Sequence, residues 1–342
     1  MGVLLALLLF SVIVIVHELG HFLLAKKNGI IVSEFSLGMG PRILSKQIGT
    51  TRYSWKLLPL GGSCMMGEDE TDDLAEGSFN SKSVWARMSV IVAGPVFNFI
   101  LAFIFATILV LWIGYNPPVI GSFTEGFPAQ ESGLKVGDTI TKMNDKPIYI
   151  WNEVSEYLQF HQGETVNVVY KRDGIQNQVT IEPKQDETGR YLLGIGGTQA
   201  QHVGILTSLK YGFYEVRYWI NITLEGLKQL VTGAVGIDKM SGPVGIVSFV
   251  GTTYKESVAI GWKVAVANLM QMVILLSANL GVFNLLPIPA LDGGRLIFLV
   301  IEAIRGKRVP PEKEGFVHFA GFVLLMLLMV VVLFNDIKYI FM

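Results

Sequence analysis

A single cysteine, Cys64, stands in a chain of 342 residues, so no internal disulfide forms and no cysteine-based zinc site can be built. Charge is scarce as well. Only 16% of the residues are charged against 51% apolar, and the mean hydropathy is +0.48. A soluble globular chain carries about 25% charged residues, so this balance fits a multi-span membrane protein with soluble parts. The formal net charge of −1 offers no basic field for a phosphate backbone, and nucleic acid is excluded as a partner. From Gly2 to Val16 there is no charge at all. The same stretch lacks the basic head and small-x-small cleavage site of a signal peptide, so a retained first span is expected. Histidines are few enough to take singly: His17, His21, His161, His202 and His318.

Against that apolar background stands His17-Glu18-Leu19-Gly20-His21, followed by more apolar sequence, Phe22 to Ala25. Gly2 to Ala25 is long enough to cross a bilayer as a helix. On such a helix His17 and His21 lie one turn apart on the same face, so both imidazoles can reach one ion. Glu18, beside the first of them, can hold a water bound to that ion. The bland alternative is a chance polar insertion. An ionisable group at mid-membrane costs roughly 2.5–3.5 kcal/mol on insertion scales and is kept mainly for function, which favours the metal site.

Three further apolar segments follow: Val84 to Ile113, Val264 to Pro289, and Phe316 to Phe334. Lysines and arginines crowd the first connection (Lys26 to Arg87) and the third (Arg295 to Lys313). Both connections are therefore expected on the cytoplasmic side. The termini and the long middle segment then lie outside, and His17 and His21 sit near the cytoplasmic end of their span. The acidic stretch Glu68 to Asp73 is expected to be a solvated loop. Within the first connection, Phe35 to Pro41 is glycine-punctuated, and Thr51 to Leu60 is rich in strand-forming residues before Gly61-Gly62, a hairpin turn or bulge. Such backbone enters a membrane only when buried against protein or lining a watery cavity; a plain cytoplasmic hairpin fits the pattern equally well.

Beyond Asn116-Pro117-Pro118, short β-rich runs alternate with turns. A helix is expected over Glu153 to Phe160, and strands over Thr165 to Tyr170 and Gln178 to Pro183 around an Arg172-Asp173-Gly174 turn. This order resembles a PDZ domain, which binds extended peptides at a sheet edge. His161 and His202, without partners at ligand spacing, read as surface or capping residues, and His318 as a residue of the membrane interface. An amphipathic helix is expected from Leu209 to Leu230.

A catalytic zinc takes three protein ligands and leaves one position open, and with no cysteine or spare histidine nearby the third must be a carboxylate. Asp292 is the candidate. Pro287, Pro289, Gly293 and Gly294 break the third helix at the depth of His17 and His21, and unwound membrane backbone usually lines a site. The bland reading is a capping Asp in a loop past the end of the span.

With these residues in view, the chain resembles the site-2 protease family, and more narrowly the bacterial regulator of sigma-E protease group in its single-PDZ form. The likeness rests on His17 to His21, on Asn284-x-x-Pro287-x-Pro289-x-Leu291-Asp292-Gly293, and on the insert between spans two and three. It extends to Phe35 to Pro41, Pro59 to Gly62, Gly94-Pro95-x-x-Asn98 and Ser241-Gly242-Pro243. The resemblance implies a zinc endopeptidase with His17, His21 and Asp292 as ligands, Glu18 as general base and Asn284 on the substrate backbone. The segment at Gly61 and Gly62 matches a membrane-reentrant β-loop that pairs with unwound substrate. Implied partners are the lipid bilayer, single-span membrane proteins such as anti-sigma factors, signal-peptide remnants or pheromone precursors, and a site-1-type protease that cuts them first. Where many relatives carry an aromatic, a β-branched residue and a lysine after the two glycines, this chain has Ser63-Cys64-Met65-Met66, which bears on substrate preference.

The expected fold is thus a multi-span α-helical membrane protein of four transmembrane helices, with a membrane-associated β-hairpin loop and an inserted extracytoplasmic α+β PDZ-like domain. Residues 1–26 form the first span and 27–83 the β-loop region, with 84–113 the second span. Residues 114–197 form the PDZ-like domain and 198–262 a linker with an amphipathic helix. Residues 263–294 are the third span, 295–315 a cytoplasmic loop, and 316–342 the fourth span and tail, all in a cell membrane. Two other readings compete: a non-catalytic PDZ-containing membrane adaptor, and a metal transporter, which needs ligands spread along a path rather than clustered at one depth.

Overall fold

The computed structural model describes residues 2–66, 76–236 and 240–341; the acidic stretch Glu68 to Asp73 lies outside them. Four helices are long and apolar enough to cross a membrane. They are α1 (Gly2–Lys27), α2 (Val84–Ile113), α6 (Trp262–Leu285) and α8 (Pro311–Phe341). The chain divides into two compact units, one of Met1–Ala102 with Leu227–Met342, the other of Phe103–Gly226.

In the first unit, α1 is followed by two long antiparallel strands, β1 (Glu34–Ile48) and β2 (Thr51–Met65). They form more than a simple hairpin. Glu34 to Leu37 are flanked on one side by Arg52 to Trp55 and on the other by Gly62 to Met65, because β2 doubles back on itself. Gly61, at φ +79°, takes the left-handed backbone that this reversal needs and that glycine adopts without strain. At the base, Glu34 accepts from Arg42 Nε at 2.7 Å and from Ser54 Oγ at 2.6 Å. The Arg42 guanidinium, first of these influences, holds its carboxyl down at about 2.

Two helices appear where the sequence led us to expect linker or loop. Residues 295–315, expected as a cytoplasmic loop, are largely helical: α7 runs Asp292–Arg305 and closes on Gly306 in the left-handed conformation. Its length is too short for a span, which hid it from a hydropathy reading. Within 198–262, α4 (Ile205–Val231) covers the expected amphipathic helix, and a second helix, α5 (Pro243–Ile260), follows. Pro243 occupies the first turn of α5, where its missing N–H costs nothing. The end is capped from afar: Gly242 and Gly245 N–H donate to Asp336 Oδ1 and Oδ2 on α8, each at 2.9 Å. A carboxylate at a helix N-terminus is favourable by charge as well as by hydrogen bonding.

The second unit contains a four-stranded antiparallel sheet in the order β5-β4-β6-β7 (Lys146–Pro147, Thr139–Met143, Val166–Arg172, Ile175–Ile181) and the helix α3 (Trp151–Phe160). Ile140, Met143, Val154, Val166 and Val168 form its buried core. Glu153 starts α3 by accepting from the N–H groups of Tyr149 and Ile150 at 2.5 and 3.2 Å. His161 ends it as a capping residue, with Nδ1 donating to Tyr157 O at 3.0 Å and its ring stacked on Tyr157. His202 is exposed.

Candidate active site

Three ligand atoms from the two ends of the chain converge. His17 Nε2 lies 3.1 Å from Asp292 Oδ2, His21 Nε2 lies 3.4 Å from the same oxygen, and the two Nε2 atoms are 3.1 Å apart. A tetrahedral ion with bonds of about 2.0–2.1 Å separates its ligands by about 3.3–3.4 Å, and the three separations match that figure closely. Asp292 Oδ2 is buried and makes no hydrogen bond among the described residues, so the lone pairs of all three groups face one point. The donor set suits zinc, which accepts imidazole and carboxylate together.

The two histidines reach this point because α1 is helical through the motif, placing them on one face, buried at 7% and 6% exposure. Asp292 is delivered differently. After α6 ends at Leu285, Pro287 and Pro289 prevent helix continuation, and the chain turns through Ala290 at φ 77° before α7 begins at Asp292. A non-glycine residue in that region carries strain of about 1–3 kcal/mol and marks functional backbone. Ala290 N–H donates to His318 Nδ1 at 2.9 Å. His318, expected only at the membrane interface, thus supports the loop that carries Asp292.

The helix α2 sets the imidazoles. A Cβ on Gly94 would fall 2.3 Å from His21 Nε2 and 2.8 Å from His17 Cε1, so only glycine lets the helices approach here. His21 Nδ1 donates to Val90 O at 2.9 Å, which leaves Nε2 as the lone-pair atom facing Asp292. Asn98 lies 3.1 Å from His17 Nδ1. Gly94-Pro95-x-x-Asn98 was visible in the sequence, but nothing in its spacing told which partner each residue meets.

A cavity of about 270 Å³ joins these groups, lined by His17, Glu18, His21, Asn284 and Asp292 together with Cys64 of β2. Glu18 accepts a hydrogen bond from the Cys64 backbone. A Cβ on Gly62 would stand 3.0 Å from Glu18 Cγ, so its bare backbone admits the carboxylate beside the strand. Gly61 lies against Met39 at the reversal of β2, further from the acid. All seven residues singled out in the sequence belong to the first unit. His17, Glu18, His21, Asn284 and Asp292 share one cavity, Gly62 abuts it, and Gly61 shapes the strand that borders it.

A family model of peptidase family M50 matches residues 5–328. The zinc metalloprotease RasP of Geobacillus kaustophilus is 34% identical, over 97% of this chain and 96% of its own. The regulator of sigma-W protease RasP of Bacillus subtilis is likewise 34% identical, over 98% of each chain. Among solved structures, the PDZ domain of an SdrC-like protein from Listeria monocytogenes aligns with 25% of this chain and 92% of its own, at 25% identity and a TM-score of 0.23.

The chain belongs to peptidase family M50, the site-2 proteases. It is a multi-pass intramembrane zinc metalloprotease of regulated proteolysis. That membership sets aside the adaptor and the transporter.

Proposed function

We propose that His17, His21 and Asp292 hold the zinc, that Glu18 is the general base and acid, and that the substrate is a single-span membrane protein already shortened by another protease. The observation that carries this reading is the convergence of the three ligand atoms at 3.1–3.4 Å beside Glu18 in one cavity. Bound zinc supplies Lewis acidity, lowering the pKa of a coordinated water toward about 7 and polarising a carbonyl. Glu18 accepts the proton of the attacking water and returns it to the departing amine. Its hydrogen bond from the Cys64 backbone holds it in the cavity that His17, His21 and Asp292 also line.

A transmembrane helix conceals its amides in internal hydrogen bonds, so the substrate must unwind before attack. The segment Gly62 to Met65 offers an extended strand beside Glu18, on which an unwound segment can add as a further strand. Asn284 holds its backbone amides in this reading, supported by its position on the cavity wall. The β-rich unit reads as a PDZ-like domain outside the cytoplasm, with both termini on the same side and the active site toward the cytoplasmic face of the cell membrane. The charge of the first and third connections supports this orientation. The name of the Bacillus subtilis relative, regulator of sigma-W protease, makes membrane-anchored anti-sigma factors the first substrates to try.

The test is Glu18→Gln with a truncated single-span reporter. The variant is expected to keep its zinc and lose cleavage; retained cleavage sinks the mechanism.

A further inference from the structure

We infer that Asn98 is a positioning residue that fixes the tautomer of His17, and that it does so by accepting, rather than donating, a hydrogen bond. The inference rests on the proposed ligand set. Asn98 is fully buried on α2, with its amide Nδ2 placed 3.1 Å from His17 Nδ1 and its Oδ1 left without a hydrogen-bond partner among the described residues. Its own backbone is held from a third helix, because Ser277 Oγ on α6 donates to Asn98 O at 2.8 Å. The side chain is therefore a fixed arm between α2 and α1.

The two ring nitrogens of a neutral imidazole divide the work: one carries the proton, the other the lone pair. His17 Nε2 faces Asp292 Oδ2 and His21 Nε2. Holding a cation there requires the lone pair on Nε2, and hence the proton on Nδ1. The group in reach of that proton is the Asn98 amide, whose oxygen accepts and whose nitrogen only donates. The two ends of an amide are nearly isosteric, so turning it over presents Oδ1 to Nδ1 in the same space. With Nδ2 presented instead, the proton is driven onto Nε2, where it blocks the cation. Val90 O does the same service for His21 Nδ1, and a backbone carbonyl can only accept. Both ligands are thus keyed by acceptors on α2, one from the backbone and one from a side chain.

Acceptor and packing roles make opposite orderings of two substitutions. Aspartate has two acceptor oxygens and no donor, and a carboxylate behind a zinc-bound histidine raises its basicity. Leucine has nearly the same shape and no polar atom. The experiment is zinc affinity of the detergent-solubilised full-length protein by chelator competition, with the visible spectrum of the cobalt-substituted form as a second readout. His17→Ala and Asp292→Ala serve as controls for the ligand set itself. Expected results are a 10–100-fold loss for Asn98→Leu with an altered cobalt spectrum, and native or tighter affinity for Asn98→Asp. Native affinity in Asn98→Leu, or a tenfold or greater loss in Asn98→Asp, overturns the inference. If Asn98→Leu fails to accumulate, the Asn98→Asp result decides alone. Undiminished zinc in both controls instead overturns the ligand set, and the two failures are thereby told apart.

Discussion

His318 Nδ1 accepts the backbone N–H of Ala290 at 2.9 Å, two residues ahead of Asp292 and at the strained φ of 77°. Removing that acceptor leaves a backbone donor unpaired, at a cost of about 1–3 kcal/mol. His318→Leu is therefore expected to weaken zinc retention by about 5–150-fold without touching a ligand. His318→Gln, which restores an acceptor oxygen, should recover most of it. Dialysis against a chelator followed by metal analysis measures both.

Gly94→Ala gives a second test of how the site is packed. In a free helix alanine is favoured over glycine by about 0.5–1 kcal/mol, so a purely helical argument predicts a more stable protein. The added methyl would sit 2.3 Å from His21 Nε2, inside any permitted contact. The expected result is a protein that reaches the membrane yet binds little zinc and does not cleave. Full activity in Gly94→Ala would show that the helices are further apart here than described.

Cys64 is the chain's one thiol, part-exposed on the wall of the cavity and beside Glu18. A bulky maleimide placed there obstructs the strand on which substrate is proposed to lie. Labelling is expected to abolish cleavage, while Cys64→Ser, which keeps the backbone hydrogen bond to Glu18, should stay within a few-fold of native activity and resist the reagent. Mass spectrometry of labelled protein alongside the reporter assay checks this.

The β-rich unit should respond to pH through Glu156. Burial first, and then the neighbouring Glu153, push its carboxyl up to about 7 from 4.5; burial does the same to Glu215. A carboxyl raised on folding binds its proton more tightly in the native state. The stabilisation is present below about 4.5 and is lost as pH rises through about 7. Glu156 is buried, at 8% exposure, so water screens little of the effect, which is worth about 1 kcal/mol or more. The protection factors of α3 amides in the full-length protein, with the intrinsic pH dependence of exchange divided out, should fall several-fold from pH 5.5 to pH 8, and Glu156→Gln should flatten that slope.

Much of the proposed site was legible because ionisable residues stand out in apolar sequence. His17, Glu18 and His21 announce themselves by location, and Asp292 by matching depth on a proline-broken helix. Asn98 and His318 were not legible in the same way. Each is a single polar residue whose role depends on which backbone or ring a distant helix brings near it, and neither spacing nor hydropathy encodes that approach. The same limit hid α5, whose start is stabilised by Asp336, some ninety residues downstream. The doubled-back β2 was half visible: Thr51 to Leu60 reads as strand, but the return of Gly62 to Met65 beside Glu34 to Leu37 is a tertiary pairing across a glycine reversal.

On the proposed ligand set, the two histidines belong to a helix made long before the one that carries the carboxylate. A growing chain inserts His17 and His21 into the bilayer early, and until Asp292 has left the ribosome and α7 has formed, the cation site has two ligands of its three. A chain that stops short of Asp292 therefore lacks the third ligand of the proposed site.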